Sequence, residues 1–283
     1  NLIIFSRILK LNDDFRIYWL DNPIAKIIPG KNYLEPEIDL INDDILNLDS
    51  KNKLIEFLNS WIKNLINTEL KDLINLNKFK QENSSLRALC YQLFENNGVI
   101  KREIVRKMIK NISKEDRPSL RKIGVKIGRY HIFLPRMLKP NAVNLRIKLW
   151  KLYFPADEKY IVPKPGLNFL KDESKKSNKF LLICGFENFG KFYVRVDILE
   201  KLFVKIIENS KDNVFKIDSS MINLIGCSKE NFLKLLELMQ YKPKKVGDNK
   251  EEFFIYEPKF VRSKSEKINK NNAFSKLSEI RCR

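Results

Sequence analysis

The chain has one histidine and nine glycines in 283 residues, and these shortages set its first limits. With His131 the sole imidazole, neither a metal centre built on several histidines nor a His–His catalytic pair can be assembled. Four cysteines, Cys90, Cys184, Cys227 and Cys282, stand far apart without a C-x-x-C pair. Neither a disulfide framework nor a zinc site has its spacing there, so they read as thiols in a reducing cytoplasm. No apolar run approaches the roughly 20 residues that cross a bilayer, and no secretory leader pattern is visible. The expectation is a soluble, cytoplasmic protein without a membrane partner. The opening residue is Asn, followed by Leu2-Ile-Ile-Phe5 with no start or cap, which suggests a fragment of a longer polypeptide.

What is abundant is positive charge, and it is segregated. The formal net charge is +19, and residues 101–150 carry fifteen Lys or Arg against three acids. Residues 1–100 carry twelve against fourteen. Lys-, Asn- and Ile-rich composition could reflect an AT-rich genome, but such drift would raise lysine everywhere. A field of one sign in one segment points to a polyanionic partner.

With 43% hydrophobic residues the chain can bury a substantial core. Phe15–Trp19 and Ile24–Ile28 alternate around Asp21-Asn-Pro23 and predict a hairpin within a small β-containing module, residues 1–44. Apolar spacing from Leu54 to Ile74 predicts one long helix or two in line, with Asp49 or Ser50 as N-cap. Ser84 or Ser85 would cap a helix ending at Asn97-Gly98. A short helix over 102–109 would turn Ile104, Val105, Met108 and Ile109 inward. Ser113, Asp116 and Pro118 would open another, carrying Arg121 and Lys122 and stopped by Gly124. Val125–Leu134 reads as a strand with Gly128 at a bulge or close approach. Residues 45–154 thus form a helical, basic accessory domain ending in a strand and a Leu-Lys-Pro segment.

Residues 155–179 read as a linker. Over 180–258 the spacing predicts strand Phe180–Cys184, strand Phe192–Val196, helix Ile198–Ile207 and a short strand at Phe215. Helix Ser219–Ile225, a Gly226 turn, helix Lys229–Gln240 and a hairpin complete the order of a winged-helix-like module. The Lys/Asn/Ser-rich residues 259–283 are expected to be a disordered basic tail with a short amphipathic helix at Phe274–Ile280. The fold class is α+β, predominantly helical with short β-hairpins.

Candidate nucleic-acid contacts are the cations Lys101, Arg102, Arg106, Lys107, Arg121, Lys122, Lys126, Arg129, Arg136 and Lys139, which would gain counterion-release free energy on any strand. Tyr130 and Phe133 are candidate stacking residues if exposed. His131 is either packed neutral on its strand or touches a base or backbone. Lys229, Lys234, Lys242, Lys244 and Lys245 are secondary candidates. Because Glu230 and Glu237 mix signs on the same helix, base-specific reading is not expected there. Asp13-Asp14 and Asp43-Asp44 read as solvated turn charges. Gly185-Phe-Glu-Asn-Phe-Gly-Lys191 matches G-x-x-x-x-G-K but lacks the Ser or Thr that holds magnesium, and a strand follows where a helix is needed.

Arg121-Lys-Ile-Gly-Val-Lys-Ile-Gly-Arg-Tyr-His-Ile-Phe-Leu-Pro-Arg-Met-Leu-Lys-Pro140 resembles a stretch in the C-terminal half of alphaproteobacterial superfamily II helicases related to the mitochondrial RNA-degradosome helicase. Further segments share the resemblance in order: Phe15–Trp19, Ile24–Gly30, Ala88–Val105, Val194–Leu202, Met221–Ser228 and Ala273–Ile280. It implies a C-terminal accessory region that binds single-stranded or structured RNA or DNA and braces the motor domains of the same polypeptide. ATP and magnesium would belong to those motor domains; no cofactor is expected within this chain. Two alternatives stand beside it: a self-contained winged-helix nucleic-acid-binding protein, such as a regulator or ribosome-associated factor, and a scaffold whose basic face binds an acidic protein.

Overall fold

The computed structural model describes residues 8–41, 44, 46–78, 83–155, 160–172, 177–244 and 253–256. Strands β1 (Leu9–Leu11), β2 (Arg16–Trp19), β3 (Asn22–Ile28) and β4 (Glu37–Leu40) form an antiparallel sheet in chain order. The expected hairpin is its centre, with Ile17 opposite Ala25 and both fully buried. Two helices follow over the stretch of helical spacing, α1 (Leu48–Glu69) and α2 (Lys71–Lys78), parted at Leu70.

The caps differ from expectation in the same way twice. Asn47 accepts the Ser50 amide at 2.8 Å to start α1. Asn83 accepts the Ser85 and Leu86 amides at 2.9 and 3.2 Å to start α3 (Ser84–Glu95). In each case an asparagine one to three residues upstream of the expected cap reaches the orphan donors, and the serine becomes part of the first turn. Helix α3 ends, as predicted, through Asn97 and Gly98 at positive φ, 56° and 81°.

Next come β5 (Val99–Lys101), α4 (Arg106–Lys110), α5 (Arg117–Lys122), β6 (Lys126–Ile127) and β7 (His131–Phe133). The predicted single strand over 125–134 is instead a hairpin, β6–β7, with β7 at the centre of a three-stranded sheet beside β5. Ile104 is 63% exposed rather than inward, because 102–105 is a turn and not helix. A 3-10 turn, Pro135–Leu138, leads into α6 (Pro140–Tyr153), a helix that the sequence reading did not separate from the basic run. One apolar cluster, including Leu58, Leu73, Leu89, Ile132 and Leu149, joins everything from β1 to α6.

Arg146 on α6 is fully buried and makes no ion pair among the described residues. Its Nη1 and Nη2 donate to the carbonyls of Asn97 and Met137. Burial pulls its pKa down to about 10. One of the fifteen cations of the basic segment is therefore a core clasp.

Further along are β8 (Phe169–Lys171), α7 (Asn178–Ile183), β9 (Phe186–Phe189) and β10 (Phe192–Arg195), with the sheet ordered β8-β10-β9. The expected strand Phe180–Cys184 is thus helix α7, started by Ser177 and with Phe180, Leu181 and Ile183 all buried. A short run that is apolar on every side carries no period to tell helix from strand. Within 155–179, read as linker, Phe169–Lys171 pairs with β10.

Then α8 (Val196–Glu208), β11 (Ser210–Lys211), β12 (Val214–Lys216), α9 (Ser219–Ile225), α10 (Lys229–Leu238), β13 (Lys242–Lys244) and β14 (Phe253–Ile255) complete the described chain. Their sheet runs β11-β12-β14-β13, and their core holds Leu202, Phe215, Met221, Phe232 and Phe254. Gly226, at φ 78°, closes α9 as a left-handed C-cap. The fold is α+β, with ten α-helices and four small antiparallel sheets among the described residues. The tail 259–283 and Lys245 lie outside the described residues.

A cationic cleft as candidate nucleic-acid interface

The hairpin tip Gly128–Tyr130 is held from a distance of some seventy residues. Glu200 on α8 is buried, and its Oε2 accepts the Arg129 amide at 2.5 Å. Its Oε1 accepts the amides of Tyr130 and His131 at 2.8 and 2.9 Å. Consecutive N–H groups converging on one carboxylate make an anion nest filled from within the protein. Gly128 is the close-approach point the sequence suggested: a Cβ there would sit 2.3 Å from Glu200 Cδ.

A second polar link lies beside it. His131 Nε2 is 2.6 Å from Glu187 Oε2, and Lys101 Nζ is 2.6 Å from Glu187 Oε1. Burial pushes the Glu187 carboxyl up, yet the hydrogen bonds from His131 and Lys101 outweigh it and leave its pKa below the ordinary 4.5. Among the described residues His131 Nδ1 has no hydrogen-bond partner, and it lies 3.9 Å from Glu200 Oε1. His131 is therefore packed on its strand, but with a carboxylate for company that the sequence reading did not find.

A third link joins two aromatic rings, the hydroxyls of Tyr130 and Tyr241 standing 2.8 Å apart. Burial raises the pKa of both phenols, so both stay protonated and one O–H donates to the other. Tyr130 also meets Phe203 edge-to-face at 5.6 Å, and the Arg129 guanidinium lies 5.3 Å from the Phe203 ring centre.

Above these links opens a cleft of about 1040 Å³ between the basic segment and the C-terminal module. Lys101, Arg102, Arg106, Lys110, Arg117 and Arg129 reach it from one part of the chain, and Lys242 from the other. Among the described residues, only Glu103 and Glu187 bring acid to the lining. Arg102 donates from Nη1 to the Gly128 carbonyl at 2.7 Å, and burial followed by the repulsion of Arg129 lowers its pKa. Crowding of like charge is what a bound polyanion would relieve.

The cleft gathers some of the predicted residues and leaves others outside. Lys101, Arg102, Arg106, Arg129, Tyr130, His131 and Lys242 line it. Lys107, Arg121, Lys122, Lys126 and Lys139 are exposed but do not. Arg136 lines a separate recess and lies 3.6 Å from Asp72. Phe133 cannot stack on a base, because it is 1% exposed in a cluster with Val99 and Val196. Lys229 and Lys234 stand on the exposed side of α10, where Lys234 pairs with Glu230 at 2.5 Å, and Lys244 is likewise exposed away from the lining. Lys110, Arg117, Glu187, Glu200, Phe203 and Tyr256 belong to the site and were not singled out for it. The nearest signal was the outward side of Lys110 on a basic helix; nothing local marked the two glutamates.

Gly185–Lys191 forms the start and turn of the β9–β10 hairpin, with Gly185 and Gly190 at φ 86° and 73°. Phe192, at the position of the magnesium-binding hydroxyl, is buried on a strand. These residues do not fit a nucleotide phosphate. Among the described residues no helix is long and apolar enough to cross a membrane.

No known relative was found: no protein-family model, no curated protein and no solved structure matches this chain.

Proposed function

We propose that the chain binds single-stranded nucleic acid, RNA or DNA, in the cleft between its basic segment and its C-terminal module. The observation that carries this reading is seven cations and several aromatic rings around one opening with only two acids among the described residues. Lys and Arg that replace condensed counterions gain affinity on any strand, and rings add sequence-tolerant stacking. The C-terminal element order of helix, strand, helix, turn, helix and hairpin, with β14 lying between β12 and β13, supports a winged-helix-like module as one wall. Two acids on α10, Glu230 and Glu237, argue against base-specific reading by that helix.

On the resemblance described above, this binding serves a superfamily II helicase, the cleft guiding a strand driven by ATP-hydrolysing domains elsewhere in the polypeptide. A cytoplasmic setting agrees with Cys90 and Cys227 standing as free thiols among the described residues. The test is affinity for a short labelled oligonucleotide across a salt series. A steep fall of log K with log salt supports the reading; no binding at low salt, or a salt-independent affinity, defeats it.

A further inference from the structure

The cleft's cations and rings are largely separated, Lys242 beside Tyr241 being the cation that stands with the rings. Arg102, Arg106, Lys110 and Arg117 come from the turn before α4, from α4 itself and from the first residue of α5. The rings of Phe203, Tyr241 and Tyr256 come from α8 and from the ends of β13 and β14. None of these three rings is fully buried. Arg129 and Tyr130, at the hairpin tip, sit between the two walls, the guanidinium of Arg129 against Phe203 and the hydroxyl of Tyr130 against Tyr241.

Resting on the single-strand reading, we propose that the strand enters the cleft in one orientation, phosphates against the α4–α5 wall and bases against the wall of rings. Phosphates gain nothing from phenyl and phenol faces, whereas the guanidinium and ammonium groups of the other wall gain charge-assisted hydrogen bonds and counterion release from phosphates. A strand that satisfies both walls has its bases turned to one side, which unpaired nucleotides can do because nothing holds their faces. A duplex cannot, since its bases are stacked and paired inside. The Arg129–Phe203 pair extends the ring wall with a flat cation, which itself stacks on bases. The Tyr130–Tyr241 hydroxyl pair has one O–H hydrogen left for a base edge or sugar. Glu187, the buried acid of the lining, is already answered by Lys101 and His131, so it does not repel the strand.

The ligand class is therefore an unpaired strand that carries bases, rather than a polyanion in general. The experiment compares three probes on the full chain: a thymidine oligonucleotide of about 12 nucleotides, an abasic strand of equal length and charge, and the same sequence as a blunt duplex. The intact strand is expected to bind at least about tenfold more tightly than the abasic strand, with the same salt slope for both. It is also expected to bind more tightly than the duplex. The double variant Phe203→Leu, Tyr256→Leu should bring the intact strand down to the abasic affinity while leaving the salt slope unchanged. Equal affinity of intact and abasic strands for the unmodified protein overturns the orientation while leaving cation-driven binding in place, and needs no variant to fold. Duplex binding as tight as single-strand binding overturns it as well. If none of the three probes binds at low salt, the cleft is not a nucleic-acid site, and this inference falls with it.

Discussion

His131 Nε2 lies 2.6 Å from Glu187 Oε2, both side chains being almost without solvent contact. Each comes from a different sheet, β7 and β9, so the bond crosses between the basic segment and the C-terminal half. Because the Glu187 pKa is depressed in the folded state, its ionised form stabilises the fold above the unfolded-state value near 4.5. That contribution is lost as pH falls through the lower, folded value. Thermal melts between pH 7 and pH 3 should show an acid limb that Glu187→Gln flattens, with the variant less stable at pH 7 by roughly 1–3 kcal/mol. An unchanged acid limb would remove Glu187 from this role.

Substituting Gly128→Ala places a methyl group where the Glu200 carboxylate now sits. The nest must open, at a cost of about 1–3 kcal/mol from overpacking. Oligonucleotide affinity should also drop, because Arg129 and Tyr130 are aimed by the same loop. Differential scanning fluorimetry and a binding titration on one preparation would read both, and a variant as stable as the parent would contradict the close approach.

Arg146→Leu removes the donors that answer the buried carbonyls of Asn97 and Met137. A loss of roughly 2–4 kcal/mol is expected, since a buried acceptor left alone costs about 1–3 kcal/mol. The residue lies in the core, so salt dependence of oligonucleotide binding at a temperature where the variant is folded should not change. Denaturant unfolding gives the first quantity and the salt series the second.

Replacing Arg106, Lys110 and Arg117 together by Ala should leave the melting temperature nearly unchanged and reduce the salt slope of single-strand binding by about 2, near 0.7 per phosphate contact. The matched triple at Arg121, Lys122 and Lys126, exposed but outside the lining, should change the slope far less. Equal effects from the two triples would mean that net charge rather than the cleft governs binding.

The α+β class, the first hairpin, the helices spanning Leu48–Lys78 and the Asn97-Gly98 stop were legible because each leaves a period or a backbone conformation in a short window. Helix α7 was not, since Phe180–Cys184 is apolar on all sides and lacks a period. Helix α6 hid inside a basic run because its buried face includes Arg146, a residue that reads as surface. For the cleft, the cations of 101–129 were visible as charge, yet their division was not: Arg106 and Arg121 look alike in sequence, and only the turn at 102–105 and the packing of the β6–β7 hairpin send one to the lining and leave the other outside. Phe133 and Tyr130 are three residues apart on alternating sides of a short hairpin, and the fold buries one fully while leaving the other partly exposed. Glu187 and Glu200 carry no local mark at all, because their partners lie 56 to 86 residues away.

The bond from Glu200 to the amides of Arg129, Tyr130 and His131 also governs how the molecule can be cut. A truncated chain ending before α8 would keep the whole basic run and still lose the anion that shapes its tip, leaving three amide hydrogens to seek water or a stray carboxylate. Grafting the positively charged half alone onto another protein would transfer its charge without its form; the two halves have to travel together.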